Sequence, residues 1–199
     1  MKRNLPPSTG ETFRLGRQRR TLVVLGVDPG TLVTGYGLIR RANGEMKLLD
    51  CGVIENAAAR SMPLRLQHIY EELQSIIARY HPDEFAIESA FYGKNVQSAM
   101  KLGHARGVSI LAAVENQIPT SEYSPREVKK AVVGSGTASK EQVQYMVRTL
   151  LNISGREMVL DTSDAIAIAI CHLHRVLTPS AKHRDWKSFI AAHPERVHS

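Results

Sequence analysis

Four acidic residues fall where a sheet or a helix would present them at its edge. Asp28 follows the apolar run 22–27 and opens Asp28-Pro29-Gly30, a breaker and turn cluster. Glu88 ends the short apolar stretch 84–88, and Asp161 and Asp164 lie three apart on one face of a first helical turn, ahead of an Ala/Ile-rich segment. In open α/β sheets ligands bind beyond the carboxyl ends of the strands, and Asp is poor strand material. Each acid also has a plainer explanation: Asp28 as the first residue of a turn, Asp161 and Asp164 as the cap of a helix. Two neighbouring parallel strands ending in Asp28 and Glu88 change the balance. They bring two acids to one edge, where mutual repulsion raises their pKa unless a cation sits between them.

The basic residues are placed to complement such a site. The formal net charge is +7. Its whole excess lies at the ends: Lys2, Arg3, Arg14, Arg17, Arg19 and Arg20 against Glu11 in 1–20, and Lys182, Arg184, Lys187 and Arg196 against Asp185 and Glu195 beyond 177. The middle is formally neutral but polarised, net acidic over 21–90 and rich in Lys and Arg over 91–148. A basic region beside an acidic pocket suits an enzyme that grips a polyanion and places metal ions at the bond to be broken. Solvated charged faces account for part of the same pattern.

Other classes fall away. Cys51 and Cys171 are the only cysteines and lack metal-ligand spacing, so neither a disulfide framework nor a zinc site is expected. No apolar run approaches membrane-spanning length, and no secretory signal core follows the N-terminus. Gly134 to Lys140 looks superficially like a phosphate loop, but it lacks a Gly before the Lys and a Ser or Thr after it, so no nucleotide site is expected there. Soluble, cytoplasmic protein is the expectation.

The elements that must carry the acids follow from periodicity and breakers. The β-branched run 22–25 reads as a strand buried on both faces. Thr34–Arg41 and Met46–Glu55 read as its antiparallel neighbours, joined through Asn43-Gly44, a strong hairpin signal. An amphipathic helix opens at Ser61-Met62-Pro63 and closes before Pro82, so Glu84–Glu88 returns as a strand parallel to the first. Asn95–Asn116 reads as a helix in which Gly103 and Gly107, four apart, suggest tight packing or a dimer face. A strand over Ile118–Tyr123 follows, then a helix from Ser124-Pro125 to Gly134 and another from the capping box Ser139-x-x-Gln142. The free N–H groups of that last helix, with Lys140 beside them, are suited to a phosphate, though ordinary capping accounts equally for Ser139 and Gln142. The alternation Ala165 to Ile170 mimics a strand, but its Ala content favours a buried helix to Leu177, with His172 and His174 as cations near its C-terminus. Residues 1–20 read as a basic, disordered extension, 21–177 as one domain and 178–199 as a flexible basic tail.

Taken together, Val27-Asp28-Pro29-Gly30, Thr34-Gly35-Tyr36-Gly37, Phe85-Ala86-Ile87-Glu88, the stretch Lys101 to Gly107, Val132-Val133-Gly134 and Asp161-Thr162-Ser163-Asp164-Ala165 resemble, in order and spacing, the bacterial RuvC family of Holliday-junction resolvases. The resemblance spans about 22–175 and leaves both tails outside. It implies an α/β fold similar to ribonuclease H: a five-stranded mixed sheet, three antiparallel strands then two parallel ones, with helices on both faces. It implies four catalytic carboxylates, Asp28, Glu88, Asp161 and Asp164, which are also the metal ligands. They would hold two Mg²⁺ per site, with Mn²⁺ as a substitute, because hard divalent cations take oxygen ligands.

The resemblance also places Phe91 at the junction, where it would stack on an unpaired base, and Lys129 and Lys140 on the DNA backbone. The implied activity is paired, symmetric nicking of four-way junctions in recombination and repair, leaving 5′-phosphate and 3′-hydroxyl ends. The implied partners are four-way junction DNA, a second copy in a homodimer, and the RuvA–RuvB branch-migration complex, in a bacterial cytoplasm without membrane attachment. A non-catalytic junction binder and an actin-like phosphotransferase are the competing classes. The full carboxylate set argues against the first, and the lack of a second phosphate loop against the second.

Overall fold

The computed structural model describes residues 21–89, 96–153 and 160–177, and for Leu160, Asp161 and Leu177 the backbone alone. Both expected tails and Phe91 lie outside these residues. The elements run β1 (Leu22–Asp28), β2 (Val33–Ala42), β3 (Glu45–Glu55), α1 (Met62–Tyr80), β4 (Glu84–Glu88), α2 (Val96–Glu115), β5 (Thr120–Tyr123), α3 (Pro125–Val133), α4 (Lys140–Leu150) and α5 (Leu160–Leu177).

The sheet is ordered β3-β2-β1-β4-β5, with β1 antiparallel to β2 and parallel to β4, and β4 parallel to β5. This is the ribonuclease H-like order that the resemblance implies. Val24, Leu25 and Val27 of β1 are fully buried, as an apolar run under helices on both faces must be. Asn43 and Gly44 adopt φ of 56° and 91° between the paired residues Ala42 and Glu45, the left-handed pair that a two-residue hairpin needs.

Two cores flank the sheet. Ile69, Leu73 and Ile77 of α1 and Ala105, Ala112 and Ala113 of α2 pack against Leu25, Val27, Phe85 and Ile87. On the other face α5 packs with Val24, Ile39, Ala86 and Tyr123, together with Val128 and Val132 of α3 and Val143 and Val147 of α4. α5 is buried from Ala165 through Leu173, which explains why its sequence is apolar around the whole circumference. The alternation there is a helix, as its alanines indicate.

Two local expectations change. β5 begins at Thr120 and not at Ile118, because Pro119 has no N–H to give to a ladder; its carbonyl accepts from Phe85 N at 2.9 Å. α5 is described from Leu160 onward, with Asp161 and Asp164 three apart within it, as the sequence spacing indicates. Among the described residues Gly103 and Gly107 make no tight packing: a Cβ built on either meets nothing within 4 Å, which leaves the dimer-face alternative.

Candidate active site

Parallel pairing fixes the first two acids. Val27 is the register partner of Ile87, so the next residue on each strand, Asp28 and Glu88, leaves the same edge side by side. Behind Asp28 the chain turns tightly: Thr34 Oγ1 donates to Gly30 O at 2.6 Å, and Asn56 N donates to Leu32 O at 2.8 Å, tying the β1–β2 turn to the end of β3. Glu88 is held from the other side by the ladder to β5, where it pairs with Tyr123 and Ser89 N donates to Tyr123 O at 2.8 Å.

The third acid depends on how closely α5 approaches the sheet. A Cβ on Gly26 would lie 2.2 Å from Ala165 O and 2.9 Å from Ala169 Cβ, and one on Gly37 would lie 2.6 Å from Ile166 Cγ1. Only glycine permits that approach, and it seats Asp164 over the end of β1. Gly26 carries no expectation from its sequence context; the signal that would have found it is a glycine in the interior of a strand.

Electrostatics tie three of the acids together. Burial pushes the Glu88 carboxyl above its ordinary range, the charge of Asp164 pushes it further, and Lys140, a hydrogen bond with Asp28 and the charge of Lys129 pull it back. Two carboxyl groups that hydrogen-bond to one another must share a proton or have a cation take its place. Lys140 Nζ stands 3.0 Å from Asp164 Oδ2. The α4 N-terminus itself is closed by its capping box, with Gln142 N donating to Ser139 Oγ at 3.3 Å and Ser139 N to Gln142 Oε1 at 2.9 Å. So capping accounts for Ser139 and Gln142, and the Lys140 side chain turns towards the acids.

Among the described residues no three His, Cys, Asp or Glu side chains form a ready-made metal cluster. The donor set nonetheless fits a hard divalent cation. Asp28 and Glu88 are joined by a hydrogen bond and Asp164 is neutralised by an ammonium, so a cation would replace a proton on one side and a lysine on the other. The side chains of Asp161 and Phe91 lie outside the described residues.

His172 departs from expectation. It is 2% exposed, and its Nδ1 is 2.8 Å from the Tyr123 hydroxyl. Burial first, then the charge of Arg175, lowers its pKa, so it is neutral and not the terminal cation expected. Glu84 Oε2, at 3.7 Å from Nε2, is too distant to offset that burial. Cys51 and Cys171 form no disulfide, and burial pushes Cys171 up to about 11, far from a reactive thiolate. No helix among the described residues is long and apolar enough to cross a membrane.

The family model for "Crossover junction endodeoxyribonuclease RuvC" matches residues 24–172. The chain belongs to the RuvC family. Its relatives in that family include the protein from Chloroherpeton thalassium, 43% identical over 184 residues, covering 88% of this chain and 99% of the relative. That from Saccharophagus degradans is 50% identical over 152 residues, covering 76% of this chain and 87% of the relative. Among solved structures, Thermus thermophilus RuvC in complex with Holliday junction substrate aligns with a TM-score of 0.73 at 31% identity, over 78% of this chain and 94% of that one. The yeast mitochondrial Holliday junction resolvase, at 13% identity and TM-score 0.54, shares the fold.

Proposed function

We propose that this RuvC-family chain is a metal-dependent, structure-selective endonuclease that resolves Holliday junctions by paired symmetric nicks. The observation that carries the reading is the set Asp28, Glu88 and Asp164 at one sheet edge, with Lys140 on Asp164 and the charge of Lys129 acting on Glu88. Acids alone would repel a phosphodiester; acids ringed by lysines accept it once cations are present.

Asp28, Glu88, Asp161 and Asp164 are assigned as catalytic residues and metal ligands. Two Mg²⁺ ions, or Mn²⁺ in their place, would supply an activated water and neutralise the leaving 3′ oxygen. Asp28, beside Glu88 at the end of β1, would be a central ligand of the ions. Glu88 and Asp164 hold the flanks of the site, with Asp161 one helical turn before Asp164. Lys140 releases Asp164 and pairs with a phosphate oxygen of the strand to be cut, and Lys129 does the same from α3. Phe91, three residues past Glu88, is assigned to stacking on a base at the crossover.

The partners proposed are four-way junction DNA, a second copy of the chain and the RuvA–RuvB complex, in the cytoplasm of a bacterium. The homodimer draws support from α2, where Val96, Met100, Leu111 and Val114 are exposed at spacings that align them with the open Gly103 and Gly107. Such a stripe lies on one side of a helix and buries well against a copy of itself.

The test incubates the protein with a mobile four-way junction and with linear duplex of the same sequence, with Mg²⁺ or with EDTA. Paired, ligatable nicks in the junction alone, and only with Mg²⁺, are expected. Junction binding without cutting in Mg²⁺ or Mn²⁺ would leave the fold and refute the nuclease.

A further inference from the structure

A second feature lies on α3, which carries Lys129, and on the loop that leads to Lys140. Arg126 and Lys130 of α3 and Gly134, Ser135, Gly136 and Thr137 of the following loop line an open cavity of about 530 Å³. We propose that this cavity binds a phosphodiester group of the junction DNA next to the one that is cut, an inference that rests on the nuclease reading above.

The charge balance favours an anion. Glu127 also faces the cavity, but its carboxylate already accepts from Ser124 N at 2.9 Å and Ser124 Oγ at 2.7 Å, and Arg175 Nη1 lies 3.8 Å away. Those bonds hold its pKa below the usual range, so it is a committed helix cap and not a mobile counter-ion. No ion pair among the described residues involves Arg126 or Lys130. A planar guanidinium and an ammonium together match the oxygens of a phosphate.

The loop is shaped around Arg126. A Cβ on Gly136 would come within 2.6 Å of Arg126 Cγ and 3.2 Å of Arg126 Nε, so glycine is what lets the arginine stem lie across the loop backbone. Gly134 caps α3 at φ 86°, turning the chain so that Ser135 Oγ and Thr137 Oγ1 approach to 3.1 Å on the cavity wall. None of the residues that line the cavity is aromatic, so it offers no ring on which a base could stack.

Chain continuity supplies the direction. Lys130 lines the cavity while its neighbour Lys129 acts on Glu88, and the loop that forms the wall runs through Ser139 into Lys140, whose Nζ meets Asp164. A polyanion seated on the acids therefore continues towards the cavity, with phosphates at every nucleotide step.

The test compares junction binding in EDTA over a salt series for wild type, Arg126→Gln/Lys130→Gln, Gly136→Ala, and Arg79→Gln as a charge control at the far end of α1. The double variant is expected to bind several-fold more weakly, with a salt slope smaller by about 1, because one phosphate fewer is neutralised. Gly136→Ala is expected to weaken binding in the same direction by displacing Arg126, and Arg79→Gln to match wild type. Thermal melting establishes that each variant is folded. A double variant with the wild-type slope and affinity, or an Arg79→Gln loss as large as its own, overturns the cavity assignment. Mg²⁺-dependent cutting of the junction by wild type, followed in parallel, judges the nuclease reading separately; wild type that fails to bind the junction overturns both.

Discussion

Lys140 Nζ lies 3.0 Å from Asp164 Oδ2, so in the absence of substrate an ammonium neutralises a carboxylate assigned to a metal. Lysine and divalent cation then compete for the same oxygen. Lys140→Gln is expected to tighten Mg²⁺ or Mn²⁺ binding to the DNA-free protein by a few-fold, measured calorimetrically, while slowing junction cleavage. Unchanged or weaker metal binding in that variant would count against the arrangement.

Asp28→Asn removes the charge at the centre of the cluster without altering its size. Cleavage is expected to fall by at least about a hundredfold, a loss of about 2.7 kcal/mol or more in transition-state stabilisation, while junction affinity in EDTA is retained. Gel-shift and nicking assays on one preparation read both quantities.

Glu88 gives a stability prediction with a definite sign. Its folded pKa is raised, chiefly by burial and then by Asp164, so the protein without metal is favoured below the ordinary carboxylate pKa and loses that advantage as pH rises through the raised value. At neutral pH, therefore, Glu88→Gln is expected to raise the Tm of the metal-free protein, by on the order of 2 °C. The gain should vanish near about pH 4, where the wild-type carboxyl is itself protonated. A lower Tm at neutral pH would show that Glu88 is a net stabiliser.

His172 behaves oppositely. Its depressed pKa means that the unfolded chain takes up a proton first as pH falls below about 6.5, so stability is present above that pH and is lost as pH falls through the folded value. NMR titration of the imidazole should give a midpoint below 6.5, and a midpoint at or above it would refute the neutral assignment.

Gly26→Ala tests the seating of α5. The added methyl would meet the backbone oxygen of Ala165 at 2.2 Å and cannot be relieved by a rotamer change. A loss of about 3 kcal/mol is expected, lowering Tm by on the order of 10 °C, with cleavage impaired even below the melting range because Asp164 moves with the helix.

Much of this arrangement is legible in the chain. Asn43-Gly44 announces the hairpin, the helix before Glu84 requires a parallel return, and the register of those strands puts Asp28 beside Glu88 without reference to any side-chain packing. Ser124 and Ser139 mark two helix starts that their capping boxes bear out. What stays hidden depends on approach between distant segments. Nothing local joins Lys140 to Asp164 on a different helix, or makes Gly136 the space that Arg126 needs. The place of His172 near a helix end suggests a cation, yet it lies four residues after Ile168 and seven after Ala165, on a face that the sheet and its flanking helices enclose.

The order in which the acid-bearing elements appear also governs when the site can assemble. Asp28 leaves the ribosome early and Glu88 midway, while α5, which packs against β1 and β2 through Gly26 and Gly37, comes last. A nascent chain halted before residue 160 has a sheet edge with Asp28 and Glu88 and no helix to finish the site. The set of acids is thus complete only when synthesis of the domain is nearly finished.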